Sequence, residues 1–304
     1  MKEIQIIIVT YNGMNWLPKT LALIPNEYSV IIIDNNSTDA TVKFILENYP
    51  TLTLLPQHVN LGFGAANNIG ISYALKNGAD YVFLLNQDAY LEKDTIEKLI
   101  EVYKNNAEYG VISPIHLNGE GSNLDLNFSN YLRQNKKLFF DALKNKYTEI
   151  IYEVPFVNAA AWLLPIKTLE IVGGFDPLFY HYAEDDNYCQ RVLFHGLKIG
   201  VVPNTYVYHD REFRETTPIN SIKDKLFLKE RYLKSKWANV NIETENDIKK
   251  FKLDTLKLII KLFFKLKFKQ LDYYLNELLL IKKITNEIKK SRKINTAKGK
   301  HYIS

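Results

Sequence analysis

The strongest constraint on this fold is an alternation of short β-branched runs and helical stretches over residues 1 to about 215. Four apolar runs end at Thr10, Asp34, Pro56 and Asn86, and the stretches between them have helical spacing. This alternation predicts an α/β fold with a mostly parallel sheet flanked by helices. Ligands of such sheets bind at the carboxyl ends of the strands, so the polar clusters TYN, DNNSTD and NQDAY predict a site at that edge.

The second region begins near residue 222, where lysine and leucine dominate. Its segment KFKLDTLKLIIKLFFKLKFKQLDYYLNELLLIKKI has no glycine or proline and predicts helix. We therefore expect an α/β domain over residues 1–215 and a basic C-terminal helical extension over residues 216–304. The last residues, KKSRKINTAKGKHYIS, predict a frayed basic end.

Composition indicates where a chain of this kind works. The single cysteine, Cys189, excludes an intramolecular disulfide and is typical of a reducing compartment. The N-terminal MKEIQIIIVTYN lacks a secretory signal pattern, and lysines interrupt each apolar stretch long enough to span a bilayer. These features favour the cytoplasm. The net charge of +5 is modest, and no nucleic-acid partner is expected.

An amphipathic pattern covers residues 249 to 271. Apolar side chains alternate there with lysines at helical spacing: Leu253, Leu256, Ile259, Ile260, Phe263, Phe264 and Leu266 against Lys250, Lys257, Lys261, Lys265 and Lys269. The pattern is typical of a helix lying on an anionic membrane surface. It equally fits a helix that packs its apolar stripe on the protein and exposes its lysines. Both interpretations stay open from the sequence.

Three features near the predicted strand ends have a chemical and a plain structural interpretation. The Asp34 carboxylate can accept a hydrogen bond from a pyrimidine N–H, or it belongs to a turn before a helix capped by Ser37–Asp39. The glycine-bearing segment 60–70 can present a helix N-terminus to a diphosphate, or it connects a strand to a closely packed helix. Asp88 can hold Mn²⁺ or Mg²⁺ against a diphosphate, or it forms an Asx turn.

The densest polar stretch runs from Phe156 to His209. Its segment 173–176, GGFD, is a turn whose glycines allow close approach of a ligand or of backbone. Three adjacent carboxylates at 184–186 open a helical segment, where they can be ordinary helix-start acids or a crowded set that suits a general base. His209 follows a strand-like run and is either a metal ligand or a structural histidine.

Taken in order, VTYN, IIIDNNSTD, NLGFGAANNIG, FLLNQD, VGGFDPLFYHYAEDDNYCQR and a trailing histidine resemble the family-2 inverting glycosyltransferases of the GT-A fold. The resemblance covers residues 4 to about 210 and includes rhamnosyltransferase-like bacterial members. It implies a metal-dependent enzyme that moves a sugar from a nucleotide diphosphate donor to an acceptor hydroxyl, with Mn²⁺ or Mg²⁺ as cofactor.

The same resemblance implies a role for each matched position. Asp185 is the expected catalytic base, and Asp88 and His209 are the expected metal ligands. The expected nucleotide-binding residues are Thr10, Tyr11, Asn12, Asp34, Asn36, Asn68 and Asn86. The expected donor-sugar and acceptor pocket comprises Trp162, Gly173, Gly174, Phe175, Glu184 and Arg191.

Two positions depart from the family pattern. Asn86 stands where relatives usually carry Asp; Asn-x-Asp resembles the rhamnosyltransferase-like variant and suggests a dTDP-rhamnose donor over other dTDP- or UDP-sugars. Asn187 replaces the final acid of the helix motif, so the side-chain contacts around the expected base differ from the family pattern at this position. Bacterial relatives build capsule, O-antigen or other surface polysaccharides on lipid-linked intermediates. A saccharide acceptor of that kind places the protein at the inner face of the cell membrane.

Other functions fit the sequence less well. A dinucleotide-dependent oxidoreductase requires GxGxxG after the first strand, where this chain has TYNGMNW. A nucleotidyltransferase requires a glycine-rich basic loop near the N-terminus, which is also missing. The remaining alternative is a non-catalytic homologue that binds a sugar nucleotide or a partner enzyme through a degenerate metal site, and Asn86 argues mildly for it.

Overall fold

The computed structural model describes residues 3–211 and 221–303. The chain divides into two compact units: Met1–Arg214 with Lys298–Ser304 forms unit 1, and Glu215–Ala297 forms unit 2. The predicted boundary at 215 lies outside the described residues. A search of those residues for a helix long and apolar enough to cross a membrane found none.

Nine strands in the described part of unit 1 form one sheet. They are β1 (Ile4–Thr10), β2 (Ser29–Asp34), β3 (Thr53–Pro56), β4 (Tyr81–Asn86), β5 (Ala89–Leu91), β6 (Tyr109–Asn118), β7 (Tyr152–Glu153), β8 (Ala161–Pro165) and β9 (Lys198–His209). Their order is β3-β2-β1-β4-β8-β6-β9-β5, and β7 pairs with β9.

The four predicted strands, β1 to β4, are confirmed and pair in parallel. The sheet as a whole is mixed and not mostly parallel as predicted, because β8 runs antiparallel to both β4 and β6. β5 and β7 also run antiparallel to β9. These strands need no crossover helix, so the alternation of strand and helix that predicted the first four does not reveal them.

Helices cover both faces of the sheet. They are α1 (Leu17–Ala22), α2 (Thr41–Asn48), α3 (Phe63–Lys76), α4 (Thr95–Asn105), α5 (Leu126–Leu132), α6 (Lys136–Leu143), α7 (Ile166–Val172) and α8 (Glu184–Phe194). Successive residues of β1 point to opposite faces: Ile7 joins a core with α3 and α8, whereas Ile6 and Ile8 join a core with α1 and α4. Burial on both faces explains why β1 reads as an uninterrupted apolar run.

Strand register brings the predicted site residues to one edge. Thr10 pairs with Asp34, and Val9 pairs with Asn86, so three polar clusters meet at the carboxyl ends of β1, β2 and β4. On the other half of the sheet, Ala89 pairs with His209. That pairing sets His209 beside the residue that precedes β5, which is Asp88.

The C-terminal residues of unit 1 are packed, so the prediction of a frayed end is wrong for them. Ile303 is buried in the core that contains α3 and α8. The Gly174 N–H donates to the His301 carbonyl at 2.8 Å, and the Gly299 N–H donates to the Ile171 carbonyl at 3.0 Å. A basic composition alone did not reveal the apolar anchor at the end of the chain.

Unit 2 consists, in its described part, of α9 (Ile222–Ala238), α10 (Glu245–Phe264) and α11 (Phe268–Asn295). A capping box formed by Ser221 and Asp224 starts α9. The predicted helical extension is therefore helical, but the chain reverses at residues 265–267, near the C-terminal end of the stretch 249–271 that was predicted as one amphipathic stripe. The loop after α9 is held by Arg292, whose guanidinium donates to three carbonyls, those of Trp237, Asn239 and Ile242.

Candidate active site

Gln87 joins the ends of β1 and β4. Its Oε1 accepts hydrogen bonds from the Thr10 hydroxyl at 2.7 Å and from the Tyr11 N–H at 3.0 Å. Its Nε2 donates to the Tyr11 carbonyl at 3.3 Å. Gln87 therefore fixes the loop after β1 and leaves the Tyr11 ring exposed. Sequence reasoning identified Thr10 and Tyr11 but missed Gln87, although it stands inside the NQD cluster.

The loops after β1 and β2 are tied together through Asn12. Its N–H donates to the Ser37 hydroxyl at 2.9 Å, and its Oδ1 accepts from the Thr38 N–H at 2.8 Å. Asn12 and Asn36 both have positive φ, at 48° and 69°, a region that asparagine tolerates better than most residues. Of the three residues predicted to cap α2, Asp39 does so: its Oδ1 accepts the N–H of Thr41, the first residue of the helix, at 3.0 Å, although the N-cap position itself is Ala40.

Asp34 ends β2 in a buried position, with 2% of its surface exposed. One carboxylate oxygen, Oδ2, accepts the Ser37 N–H at 3.0 Å. The other, Oδ1, has no hydrogen-bond donor among the described residues. A buried polar atom of this kind is uncommon in folded proteins and is a candidate ligand contact.

Asp88 and His209 meet as the sequence predicted, although they are far apart along the chain. His209 Nε2 lies 3.5 Å from Asp88 Oδ1, and each side chain is only 1% exposed. The Asn86 amide nitrogen lies 3.5 Å from the same Nε2 atom. A carboxylate, an imidazole and an amide thus converge where β4 and β9 end.

A residue that sequence reasoning missed, Asp125, lies on the other side of the His209 ring. Its Oδ2 is 3.6 Å from His209 Nδ1. Asp125 is the N-cap of α5, where its Oδ1 accepts the Asn127 and Phe128 N–H groups. Arg211 donates to both of its oxygens, at 2.8 and 2.6 Å. The sequence signal was limited to an Asp before a helical stretch, which indicates a cap and no more.

Ionisation differs sharply between the two groups that flank His209. Burial raises the pKa of Asp125, but hydrogen bonds from Arg211 and from the Phe128 N–H outweigh that effect and hold it below its usual range. Burial, assisted by the neighbouring His209, lowers the pKa of His116 to about 3. His209 therefore has an ionised carboxylate on one side and a neutral imidazole on another, 6.2 Å away between ring centroids.

The residues present fit a divalent cation that is completed by its substrate. Within the described residues, no group of three or more His, Cys, Asp and Glu side chains could hold a metal. Asp88 and His209 supply two ligand atoms of suitable type. Mg²⁺ commonly takes one or two carboxylates and fills its remaining positions with water and substrate phosphates. A carboxylate behind the histidine is also the usual arrangement around a metal-bound imidazole.

The three adjacent acids form the first turn of α8, which starts after two residues with positive φ, Tyr182 at 65° and Ala183 at 69°. Glu184 is buried, whereas Asp185 and Asp186 are half-buried. Burial, and next the charge of Asp186, raise the pKa of Asp185 from 3.8 to about 6. A carboxylate with a pKa close to neutrality is suited to general base chemistry.

The pKa of the Tyr131 hydroxyl is affected both by the α8 acids and by Asp125, the carboxylate behind His209. Its pKa is raised first by burial and then by the charge of Asp185, with Asp125 and Asp186 adding to the effect. Tyr131 is therefore within electrostatic range of both the predicted base and the carboxylate behind His209.

Asn68, predicted to contact the nucleotide, instead holds the chain at Phe175. Its Oδ1 accepts the Phe175 N–H at 2.7 Å and its Nδ2 donates to the Phe175 carbonyl at 2.8 Å. A Cβ atom on Gly174 would lie 2.3 Å from Asn68 Oδ1, so glycine is required there by protein packing. A Cβ atom on Gly173 would lie 2.4 Å from the His301 carbonyl oxygen. These glycines make room for protein atoms and not for a ligand.

Arg191, Trp162 and Phe175, predicted to shape the donor-sugar and acceptor pocket, are also buried and make their contacts with protein groups. The Arg191 guanidinium donates to the carbonyls of Val172 at 2.9 Å and Gly174 at 2.6 Å, and to the Asn187 side chain at 3.0 Å. The Trp162 and Phe175 rings stack with centroids 6.2 Å apart inside the core. The physical reason is that each of these groups is needed to pack α8 and the turn before it.

Glycines of segment 60–70 likewise serve packing. A Cβ atom on Gly62 would collide with the Tyr180 carbonyl, and one on Gly70 would lie 2.6 Å from Ile7. The Tyr180 hydroxyl donates to the Asn60 carbonyl at 3.2 Å. The close-packing interpretation therefore accounts for these glycines. The rings of Tyr180 and Tyr182 are exposed just before α8. No role was assigned to these two residues from the sequence.

Comparison with known families decides the class of protein. The sequence profile described as Glycosyl transferase family 2 matches residues 5–160, just over half of the chain. The chain belongs to glycosyl transferase family 2. The match runs from β1 to the residue before β8, so the matched range of this glycosyltransferase includes Asp88, while Asp185 and His209 lie beyond it.

Curated relatives of this glycosyltransferase are rhamnosyltransferases. The chain is similar to the dTDP-rhamnosyl transferase RfbF of Shigella flexneri, with 26% identity over 213 residues that cover 68% of this chain and 69% of the relative. It is also similar to the N-acetylglucosaminyl-diphospho-decaprenol L-rhamnosyltransferase of Mycobacterium tuberculosis, with 24% identity over 68% of this chain and 75% of the relative.

Solved structures confirm the predicted GT-A fold. GalNAc-T7 with UDP, GalNAc and Mn²⁺ superposes with a TM-score of 0.54 at 13% identity, covering 77% of this chain and 48% of that one. The mannosyltransferase PcManGT of Pyrobaculum calidifontis, with GDP-Man and Mn²⁺, superposes with a TM-score of 0.53 at 19% identity, covering 78% of this chain and 63% of that one. This glycosyltransferase thus spans between about half and two thirds of these structural neighbours.

Proposed function

We propose that this glycosyltransferase inverts the anomeric centre while moving a sugar from a nucleotide diphosphate to an acceptor hydroxyl. The observation that carries the proposal is the approach of His209 Nε2 to Asp88 Oδ1, which lie 3.5 Å apart at the carboxyl ends of β9 and β4. The raised pKa of Asp185, near the same region, supplies the second chemical requirement.

The nucleotide is expected at the ends of β1 and β2. Asp34 Oδ1 is a buried acceptor that suits the N3–H of thymine or uracil. The exposed Tyr11 ring, fixed through Gln87, can stack on the base, and the exposed Asn36 is within the same turn. Thr10 and Asn12 have their polar atoms engaged with Gln87, Ser37 and Thr38, so their role in this proposal is to shape the loop that meets the ribose.

Asp88 and His209 would hold the divalent cation, Mn²⁺ or Mg²⁺, together with the donor diphosphate. The cation supplies electrophilic stabilisation of the charge that develops on the departing diphosphate. Asp125 orients the His209 ring from behind, because an ionised carboxylate near Nδ1 favours the tautomer with its proton on that nitrogen. Nε2 then presents a lone pair toward Asp88. Asn86, neutral where the family pattern usually has Asp, removes one negative charge beside the diphosphate.

Asp185 would remove the acceptor proton. The acceptor oxygen forms its bond to the anomeric carbon as the bond between that carbon and the phosphate oxygen breaks on the opposite face. The proton passes to the Asp185 carboxylate, and the nucleoside diphosphate leaves with the electron pair. The half-buried position of Asp185 keeps bulk water from competing, and Glu184 and the exposed Tyr180 and Tyr182 rings flank the place where a saccharide would approach.

Relatives narrow the substrates within this proposal. One is named a dTDP-rhamnosyl transferase, which supports dTDP-rhamnose as the donor. Another is named for an N-acetylglucosaminyl-diphospho-decaprenol acceptor, which supports a saccharide linked to a lipid diphosphate. Such an acceptor lies in a membrane, so we place the reaction at the inner face of the cell membrane, in the synthesis of a bacterial surface polysaccharide.

A non-catalytic, sugar-nucleotide-binding homologue is the second candidate, and the neutral Asn86 beside a pair of metal-ligand side chains, counted over the residues that the structure describes, favours it. Both candidates bind nucleotide, so binding alone does not separate them. Release of nucleoside diphosphate in the presence of acceptor distinguishes the two candidates, because a protein that only binds the donor leaves it intact.

The experiment has two stages. Thermal unfolding is measured with dTDP, UDP and GDP, each with and without Mn²⁺, since a ligand at 100 times its Kd stabilises the folded state by about 2.7 kcal/mol. We expect the largest shift with dTDP and Mn²⁺. The protein is then incubated with dTDP-rhamnose and a lipid-diphosphate-linked N-acetylglucosamine, and NMR reads the product's anomeric configuration. Retention of configuration contradicts inversion, and donor binding without dTDP release supports the second candidate.

A further inference from the structure

The turn between α10 and α11 exposes a cluster of large apolar side chains. We call residues 263–269 the hairpin tip; it contains Phe263, Phe264, Leu266 and Phe268, all exposed. Phe264 is 78% exposed and Leu266 is 72% exposed. The three remaining residues of the tip are exposed lysines, Lys265, Lys267 and Lys269. Aromatic and leucine side chains of this size rarely cluster in water without a partner surface.

The way α10 ends singles out Leu266. The Lys267 N–H donates to the Leu262 carbonyl at 3.1 Å, and the Leu266 N–H donates to the Phe263 carbonyl at 3.0 Å. This is a helix end closed by a residue with left-handed backbone, and Leu266 has a φ of 55°. Glycine normally occupies that position because its φ has no Cβ penalty. A leucine that is both strained and exposed indicates that its side chain serves a purpose outside the hairpin.

The outward face of α10 continues the same apolar surface. Leu253, Leu256, Ile260 and Phe263 are spaced by three or four residues and are exposed. The opposite side of the helix holds its buried residues, among them Thr255 and Leu262. An amphipathic helix in water needs one apolar face, and α10 has two, of which one remains exposed.

The charge of this region selects the kind of partner. Residues 255–271 contain five lysines and no acidic residue. A second copy of this hairpin would bring like charges together, which opposes self-association through the tip. A surface that is apolar inside and anionic outside matches both the exposed rings and the lysines. A bilayer with anionic headgroups has that chemistry.

We propose that the hairpin tip inserts into an anionic membrane, with Phe263, Phe264, Leu266 and Phe268 at the acyl boundary and the lysines at the phosphates. Lysine can bury its methylene stem while its ammonium stays among the headgroups. One of the two interpretations left open by the sequence was a helix lying on the membrane over residues 249–271; because the chain reverses at residues 265–267, the tip is instead the deepest point in this proposal. The inference does not depend on the donor sugar or on metal use.

The full-length protein is sedimented with vesicles of phosphatidylcholine alone or with about a third phosphatidylglycerol. We expect sedimentation with the anionic vesicles at low salt, weakening as salt screens the lysines. Replacing Lys261, Lys265 and Lys269 with Gln should weaken binding about a hundredfold, because each lysine near an anionic surface contributes roughly fivefold.

Two further variants test insertion without disturbing the fold. Leu266→Gly relieves the strained backbone, so the hairpin should stay folded while vesicle affinity falls about fivefold to tenfold. Phe264→Ser should lower affinity about tenfold. The matched control is Phe140→Ser in α6, an exposed phenylalanine of unit 1, which should bind vesicles like the parent protein.

The outcomes separate the occupants of this surface. A full-length protein that stays in the supernatant with anionic vesicles at low salt overturns the proposal. So does equal loss of affinity for Phe264→Ser and Phe140→Ser. If Leu266→Gly instead abolishes a dimer seen by sedimentation velocity, the tip is a self-association surface and the membrane assignment is wrong. Nucleotide binding measured on the same variants should stay unchanged, which keeps this test separate from that of the transferase activity.

Discussion

Replacing Asp185 with Asn should abolish most transfer while making the protein more stable. The change preserves the shape of the side chain and removes its basicity. General base catalysis contributes about a hundred- to ten-thousandfold, so the turnover number should fall by that factor while donor affinity persists. The stability gain follows from the pKa of Asp185, which the folded protein raises from 3.8 to about 6.

The size of the gain can be worked from that shift. The folded state binds more protons than the unfolded state between pH 3.8 and about 6, so stability falls as pH rises through this window. The rise in pKa from 3.8 to about 6 corresponds to a loss of about 3 kcal/mol of unfolding free energy at pH values above this window. Asp185 is half-buried, and solvent screening reduces the expected penalty to about 1–2 kcal/mol. The Asp185→Asn change removes this penalty at neutral pH, which should raise Tm by about 2–6 °C.

The assay combines a pH–rate profile with thermal unfolding at pH 5 and pH 7.5. The parent rate should fall below pH 6 about tenfold per unit, because only the deprotonated carboxylate accepts the acceptor proton. Asp186→Asn is the matched control: it should retain activity and move the acid limb to lower pH, since the Asp186 charge helps raise the Asp185 pKa. Normal turnover by Asp185→Asn, or a loss of stability in place of a gain, would refute the reasoning.

Three other changes test the rest of the site. Asp88→Asn should lower dTDP affinity in Mn²⁺ by tenfold or more but have little effect in excess chelator, as followed by calorimetry; full transfer with chelator present would exclude metal dependence. Asp125→Asn keeps an effective helix cap but removes the charge that lies behind His209 and pairs with Arg211, so Mn²⁺ affinity should fall about 10–100-fold and Tm should fall as well. Asn68→Ala removes both hydrogen bonds to Phe175 and should cost about 2–4 kcal/mol of unfolding free energy in denaturant titrations; unchanged stability with lost nucleotide binding would restore Asn68 to the site.

Local sequence determined the parallel half of the sheet. β1, β2 and β4 are short, rich in β-branched residues and buried on both faces, so each appears in the sequence as a continuous apolar run. The segments between them repeat their apolar residues with the period of a helix. The polar residues at their ends follow from the chain leaving the core at that point. Asp34 and Asp88 are therefore recognisable from the sequence as candidate site residues, and the family pattern predicts the meeting of Asp88 with His209.

Tertiary structure alone decided which of the polar and glycine residues in these motifs hold the protein together. Asn68, Gly174 and Arg191 lie in motif blocks that resemble a binding site, yet their atoms are used in contacts between α3, α8 and the turn before α8. Asp125 carries no motif, and it reaches His209 only because β6 and β9 pair and bring α5 alongside. A hydrogen bond between residues far apart along the chain leaves no periodicity in the sequence, since each partner satisfies local propensities with or without it. Contacts between residues so far apart along the chain are fixed only when the whole sheet assembles.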